Sequence, residues 1–333
     1  MTSPTSLLAL LRSRTTVDCD TLDVEVATSL GPFQDCTSNQ AIVFNELQES
    51  QHEVLLRDSI DLARKLAADF EVSLTELAIE IAMIKLALRM APHVKGFVHV
   101  QTNPSSSYST SKTLENARRI HDLFKHVDPH FDTSRVCVKV PSTWEGLQAC
   151  RTLQATGITT LATTLFTLAQ AALAGEVGCH YIAPYLNELR VQTEKGYKGD
   201  APLFELCVSA QRYYKHQQIT TKVLPASLTS INEIMLLAGV DHITIAPKLL
   251  RELASAEVDP SNASNLPSLF DEVKLAEEQI PAKLSFADNE EAFRMAMTRD
   301  ANGANEGKLI QAINIFCDVQ LKMEAMMRER GAV

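Results

Sequence analysis

The sequence predicts an α/β chain folded as a (β/α)8 TIM barrel, with a short helix before the barrel and a helical extension after it. Three observations carry that expectation. Eight short segments rich in β-branched and other apolar residues are spread along the first 246 residues. Stretches with apolar residues at helical spacing lie between most of them. No GxGxxG follows the first strand segment, and eight strands are many for the rival, a doubly wound open sheet.

A short apolar run, Leu7–Leu11, is followed by Arg12 and Arg14 and reads as an amphipathic first helix rather than a signal core. The strand segments are Thr15–Cys19, Phe33–Thr37, Val94–Val100, Val136–Val140, Thr159–Ala162, His180–Ala183, Lys222–Ala226 and His242–Ala246. Helical periodicity marks Ser50–Phe70, Leu74–Met90, Thr113–Phe124, Ala201–Tyr214 and Ser230–Leu237, the last stopped by Gly239. The long gap between the second and third strands has room for two helices. The stretch from Thr152 to Gly175 carries no charge, but its threonines, two glutamines and Gly157 fit a buried strand followed by an apolar helix better than a membrane span. Beyond the eighth strand, Met295–Met326 reads as helix interrupted near Asn302–Asn305, after a Ser/Asn/Pro stretch at Asp259–Ser268 that includes a sequon at Asn262. The chain, 1–333, is therefore expected to form a single barrel domain, with 249–333 a helical extension packed on it.

Composition removes several function classes. Against 31 Lys and Arg stand 41 Asp and Glu, a net charge of −10, which argues against nucleic acid or an anionic membrane as partner. Seven scattered cysteines form no CxxC or other metal spacing, and an odd count is no disulfide framework. They read as small apolar packing residues in a reduced, cytoplasmic protein. The nine histidines match no metal motif, although His99 and His180 fall in strands and can face the barrel interior. Structural zinc is therefore not expected. There is no GxSxG and no P-loop. By frequency alone a homodimer is expected.

In a barrel of this kind the C-terminal ends of the strands carry the chemistry. Lys139 is the informative residue there. It lies inside Val136–Cys137–Val138–Lys139–Val140–Pro141, where alternation puts it on one face with Cys137 and the valines on the other. A lysine inside a barrel costs free energy unless paired, and desolvation lowers its pKa towards the range in which the neutral amine attacks a carbonyl. The protonated imine then draws electrons from an adjacent C–C bond. The plain alternative is a lysine that snorkels from a strand end to an acid. Asp20, ending the first strand, is the natural proton-transfer partner, or else a turn residue. Thr163 and Tyr185, at the fifth and sixth strand ends, are candidates for holding a carbinolamine or water and for donating a proton. Packing is the ordinary role of each. Thr37, Asn103 and Ser227 stand at further strand ends and are the expected substrate-binding residues.

These segments resemble the transaldolase family over most of the chain. Thr15–Thr16–Val17–Asp18–Cys19–Asp20–Thr21 is similar to the family's opening strand and places its catalytic aspartate on Asp20. Gln34–Asp35–Cys36–Thr37–Ser38–Asn39 is similar to its D-A-T-T-N-P segment and places the active-site asparagine on Asn39. Val138–Lys139–Val140–Pro141–Ser142–Thr143–Trp144–Glu145–Gly146 is the most specific match and puts the Schiff-base lysine on Lys139. Thr163 falls on the threonine that helps position catalytic water. Asp241–His242–Ile243–Thr244–Ile245–Ala246–Pro247 resembles the eighth-strand signature. The resemblance implies transfer of a dihydroxyacetone unit between sugar phosphates, as in the pentose phosphate pathway, without cofactor or metal.

The departures are as specific. The family's water-holding glutamate falls on Gln101, and a phenylalanine after the sixth strand falls on Tyr185. Both changes are similar to the related fructose-6-phosphate aldolase group, which uses free dihydroxyacetone. The proline after Asn39 is Gln40. Two phosphate-site arginines fall on Glu188 and Thr229, leaving Ser227, and a carboxylate repels a phosphate. The expected activity is thus transaldolase- or aldolase-type C–C bond cleavage and formation through a lysine Schiff base. The alternatives are a Schiff-base lyase or carboligase for an unphosphorylated carbonyl in specialised metabolism, and a non-catalytic barrel with a binding role. Retention of Lys139 with Asp20 argues against the last.

Overall fold

The computed structural model describes residues 6–258, 266–271 and 282–333. Eight parallel strands form one sheet: β1 (Thr16–Asp20), β2 (Cys36–Thr37), β3 (Val98–Gln101), β4 (Val136–Pro141), β5 (Thr159–Leu165), β6 (Tyr181–Pro184), β7 (Lys222–Val223) and β8 (His242–Ile245). Their order is β7-β6-β5-β4-β3-β2-β1-β8. Across the remaining seam the Thr244 amide donates to the Pro225 carbonyl at 3.3 Å, which curls the sheet into the expected (β/α)8 barrel.

Every expected strand is present, with shifted ends. The second shrinks to Cys36–Thr37, with Phe33 joined to Val94 only by an isolated bridge. The third begins at Val98 and runs on to Gln101. The seventh keeps only Lys222–Val223 as ladder, although Leu224 and Ala226 still donate to the carbonyls of Ile182 and Pro184. Sequence marks where residues are apolar and branched; the stagger of a tilted barrel decides which of them pair.

Alternation divides the strand residues into two cores. Val17, Cys19, Val98, Val100, Val136, Val138, Val140, Ile182, Ile243 and Ile245 point outward and merge with the apolar faces of the surrounding helices. Cys137, Leu161, Tyr181, Ala183 and Leu224 form a small separate cluster inside the barrel. That interior is the face on which Lys139 was expected, since it shares Cys137's parity.

Between β2 and β3 the chain holds three α-helices, Gln40–Leu47, Glu53–Leu66 and Leu74–Met90, rather than two. The last is capped by Ser73, whose side chain accepts from the Glu76 amide. It is apolar around most of its girth and correspondingly buried. The segments expected at Thr113–Phe124, Ala201–Tyr214 and Ser230–Leu237 are helices Thr110–Val127, Phe204–Gln217 and Ile231–Leu236. Val24–Leu30 and Trp144–Ala155 are helices that periodicity did not mark. The uncharged stretch is β5 followed by helix Leu168–Glu176, started by a capping box between Thr167 and Gln170. No described helix is long and apolar enough to cross a membrane.

Leu249 falls inside helix Pro247–Ser255, which is the barrel's own eighth helix, so the extension begins later than expected. It contains helices Glu290–Arg299 and Ala304–Glu329, broken at Ala301 and Asn302, both in left-handed conformation. The sequon at Asn262 lies outside the described residues. The final helix packs against Gln40–Leu47, Leu74–Met90, the turn Pro104–Ser106 and the end of β5, so it lies against the C-terminal mouth of the barrel. All seven cysteines are unpaired and six of them are buried.

Candidate active site

The C-terminal mouth gathers the polar residues that sequence placed at strand ends. Lys139 is 1% exposed, inside β4, and its Nζ donates to the Ser38 carbonyl at 3.3 Å. Burial lowers its pKa, and the charge of Asp20 partly restores it. Asp20 ends β1. Burial raises its pKa, opposed by the charge of Lys139 and the hydroxyl of Thr37. Loss of water pushes the acid up and the amine down, and the charge of each opposes the shift of the other.

Thr37 fixes the aspartate. Its Oγ1 donates to Asp20 Oδ1 at 2.6 Å and lies 2.6 Å from Thr244 Oγ1. The hydroxyl expected to meet substrate is therefore committed to holding Asp20, a role that needed β2 and β8 to be placed beside β1. Asn39 caps helix Gln40–Leu47, its Oδ1 accepting from the amides of Ala41 and Ile42 at 2.9 and 3.0 Å. The cap leaves its Nδ2 as the group available for donation. Asn103, expected to bind substrate, likewise caps the turn Pro104–Ser106 and takes the Asn116 side chain on its own amide.

Gln101 pairs in register with Lys139 and is 1% exposed, yet neither its Oε1 nor its Nε2 has a partner. A buried amide with both ends unsatisfied is costly, and its place beside the lysine fits a group that completes its bonds when ligand or water arrives. Thr163 Oγ1 lies 3.3 Å from the Tyr185 hydroxyl, and burial pushes that phenol upward, so it is held as a proton donor. At this end of β5 Thr164 adopts a left-handed conformation, and the register with β6 shifts between Ala162 and Leu165. Such irregularities turn side chains into a site at the cost of ladder pairing.

The β6 and β7 side of the mouth is acidic. Glu188 accepts from the Tyr197 hydroxyl at 2.7 Å, from the Asp200 amide at 3.3 Å and from Gln311 of the final helix at 3.2 Å. Glu233 accepts from the amide and hydroxyl of Thr229 at 2.6 and 2.8 Å and from Asn187. Ser227 is left-handed at φ 58°, and its buried Oγ has no partner. Lys248 points away, 87% exposed, while Lys308 of the final helix approaches Asp200 at 3.4 Å. Sequence reasoning did not single out Ser38, Thr244, Asn187, Glu233 or Gln311. Thr244 shares the inward parity of its strand and was findable; Gln311 arrives from far along the chain and left no local signal.

Below the mouth, two residues earlier on four strands, lies a second polar layer. Asp18 Oδ2 is 2.9 Å from His242 Nδ1, and its Oδ1 accepts from the Asp35 amide at 2.9 Å. Asp35 Oδ2 is 3.1 Å from His99 Nε2, and its Oδ1 accepts from the Phe97 amide at 2.9 Å. Donor atoms of Asp18, Asp35 and His242 lie within 4.8 Å of one another, and these hydrogen bonds account for all of them. His180 lies below this layer, its ring against Phe97 and Tyr181.

The chain is similar to known proteins over nearly its whole length. The family described as "Transaldolase/Fructose-6-phosphate aldolase" matches residues 17–316. A transaldolase of Alteromonas mediterranea is 31% identical over 329 residues, covering 97% of this chain and 98% of that protein. A transaldolase of Agrobacterium fabrum is 31% identical over 330 residues, covering 98% of each. One of Shewanella frigidimarina is 29% identical over 328 residues, covering 97% of this chain and 98% of its own.

Proposed function

Because the chain belongs to the transaldolase/fructose-6-phosphate aldolase family and is an enzyme of that family, we propose that it cleaves and forms C–C bonds through a Schiff base on Lys139. The observation that carries the reading is the burial of Lys139 within reach of the Asp20 charge and in register with an amide, Gln101, that has no partner inside the protein.

The neutral Lys139 Nζ adds to the substrate carbonyl carbon. Loss of water from the carbinolamine gives a protonated imine. Asp20 takes the proton of the hydroxyl beyond the scissile bond; that bond breaks, its electron pair moves to the imine as an enamine, and an aldehyde leaves. The enamine then attacks a second aldehyde, which is transfer, or takes a proton and is hydrolysed, which is release. Gln101 orients the water, Tyr185 supplies a proton beside Thr163, and the free Asn39 amide group binds a hydroxyl of the retained ketone. Thr37 and Asn103 act by holding their neighbours, and Ser227 is left to meet substrate.

A second reading, for the substrate alone, is favoured by Glu188 and Glu233. Both carboxylates line the β6 and β7 side of the mouth, and an unphosphorylated carbonyl compound suits them better than a sugar phosphate. The test of both is borohydride trapping followed by peptide mass spectrometry. Dihydroxyacetone, fructose 6-phosphate and a panel of unphosphorylated ketones are offered to the wild type and to Lys139→Ala. A reduced adduct on the Lys139 peptide is expected, strongest with an unphosphorylated ketone. Adducts on other lysines only, or none with any carbonyl, would remove the mechanism; equal trapping of fructose 6-phosphate would remove the second reading.

A further inference from the structure

A cleft of about 550 Å³ opens at the end of the barrel opposite the mouth. Its walls come from the N-terminal ends of four strands: Thr16 begins β1, Gln34 and Lys95 stand a few residues before β2 and β3, and Asp241 stands just before β8. Arg12, the last residue of helix Leu7–Arg12, and Arg14 join them. The described lining thus sets three cations against one carboxylate, in a chain whose net charge is −10. The mechanism above uses none of these residues.

We propose that this cleft is a binding site for a small phosphorylated molecule, held by its phosphoryl group against Arg12, Arg14 and Lys95, at the opposite end of the barrel from the active site.

Arg12 donates from Nη2 to the Leu30 carbonyl and lies over the Phe33 ring, 5.3 Å from its centroid. These contacts fix the guanidinium without supplying a counter-charge. Among the described residues no carboxylate pairs with it, and its Nη1, which is not buried, has no partner. Burial lowers its pKa with no acid to oppose the shift. Lys95 is exposed, and its amine has no partner among the described residues. Arg14 donates to the Leu266 carbonyl at 3.2 Å and stands 4.0 Å from Asp271, whose side chain is 60% exposed. Asp241, the acid in the lining, accepts from the Val223 amide at 3.0 Å and so turns one oxygen towards β7. The Thr16 hydroxyl and the Gln34 amide add uncharged donors to the wall. Two planar guanidinium forks with an ammonium match a phosphoryl dianion, whose oxygens accept charge-assisted bonds from several sides; a carboxylate offers fewer acceptors and half the charge. The volume falls within the range of about 300–1,000 Å³ usual for small-molecule sites. The acidic balance of the whole chain disfavours a long polyanion.

Isothermal titration calorimetry at fixed ionic strength tests the site, with inorganic phosphate as the probe and succinate as a carboxylate control. Saturable binding of phosphate at one site per chain, tighter than that of succinate, is expected. Lys95→Glu should weaken it by about tenfold or more, because a repelling charge replaces an attracting one. Arg12→Gln should weaken it in the same direction. Lys248→Glu makes the same change of charge on an exposed lysine at the mouth end and should leave it unchanged. Lys95 has no side-chain partner to lose among the described residues, so Lys95→Glu decides the matter where Arg12→Gln fails to fold. Absence of saturable binding, no weakening by Lys95→Glu, equal weakening by Lys95→Glu and Lys248→Glu, or equal affinity for succinate would overturn the proposal. No carbonyl enters the experiment, so failure of trapping at Lys139 would remove the proposed mechanism and leave this result standing.

Discussion

The two halves of the barrel mouth are built differently. On the side of β1 to β5, Asp20, Thr37, Lys139 and the main chain of Ser38 form a short, interlocked set, with distances of 2.6 to 3.3 Å. Each member comes from inside or immediately after a strand. On the side of β6 and β7, Glu188, Asn187 and Thr229 lie in loops, Glu233 in the first turn of the short helix Ile231–Leu236, and the final helix adds Gln311. Rigid strands suit a reaction that tolerates little displacement; loops and a distant helix suit contacts that differ between substrates. The first half is read as chemistry and the second as selection.

The strongest way to break this division is at Lys139. Lys139→Ala should abolish trapping and turnover, with the far half intact by circular dichroism and melting. Residual imine turnover in that variant would move the reacting amine elsewhere. Asp20→Asn should lower turnover by about 10²- to 10⁴-fold, the range of a lost general acid/base, while an adduct on Lys139 is still trapped. Loss of trapping to the same degree as turnover would make Asp20 a structural partner of the lysine instead.

The selection half is tested by charge. Glu188→Arg with Thr229→Arg should raise kcat/KM for fructose 6-phosphate by about tenfold or more through charge-assisted bonds, and leave trapping of dihydroxyacetone unchanged. A folded double variant with no gain would separate Glu188 from the path of the substrate.

The smallest expected effect sharpens the first half. Thr37→Val deletes the hydroxyl that favours ionised Asp20. Without it the Asp20 pKa rises, so the acid limb of the pH–rate profile should move to higher pH, with a loss of about tenfold below it. An unmoved limb with lower turnover throughout would mean that Thr37 acts by packing alone. Tyr185→Phe should cost a similar factor at most, confined to the protonation and release steps.

Legibility in the sequence followed periodicity. Lys139 stood out because a charge in a run of valines, on the parity of Cys137, has few places to point. Thr37 and Asn103 were legible as strand-end residues, but their partners were not: one hydroxyl reaches Asp20 and Thr244, and one side chain caps its own turn. The interior aspartates and histidines carried a usable signal, since Asp18, Asp35, His99 and His242 each stand two residues before an inward-facing residue of the mouth. Read singly, each looked like an ordinary strand residue. The helices Val24–Leu30 and Trp144–Ala155 escaped because they start from a single capping side chain, Asp23 and Thr143, and carry no long apolar stripe.

Alone, the sequence determined that eight parallel strands would alternate with helices, that one lysine would face inward, and that an aspartate would end the first strand. Those properties are local: they depend on side-chain parity, branching and caps within a few residues. Tertiary structure decided which polar atoms meet. It joined β8 to β1, so that Thr244 meets Thr37 and His242 meets Asp18, although over 200 residues separate each pair. It also brought the final helix over the mouth, so that Gln311 reaches Glu188. Pairing across a closed ring is set by stagger and by the burial of distant apolar faces, and neither is written in any one segment.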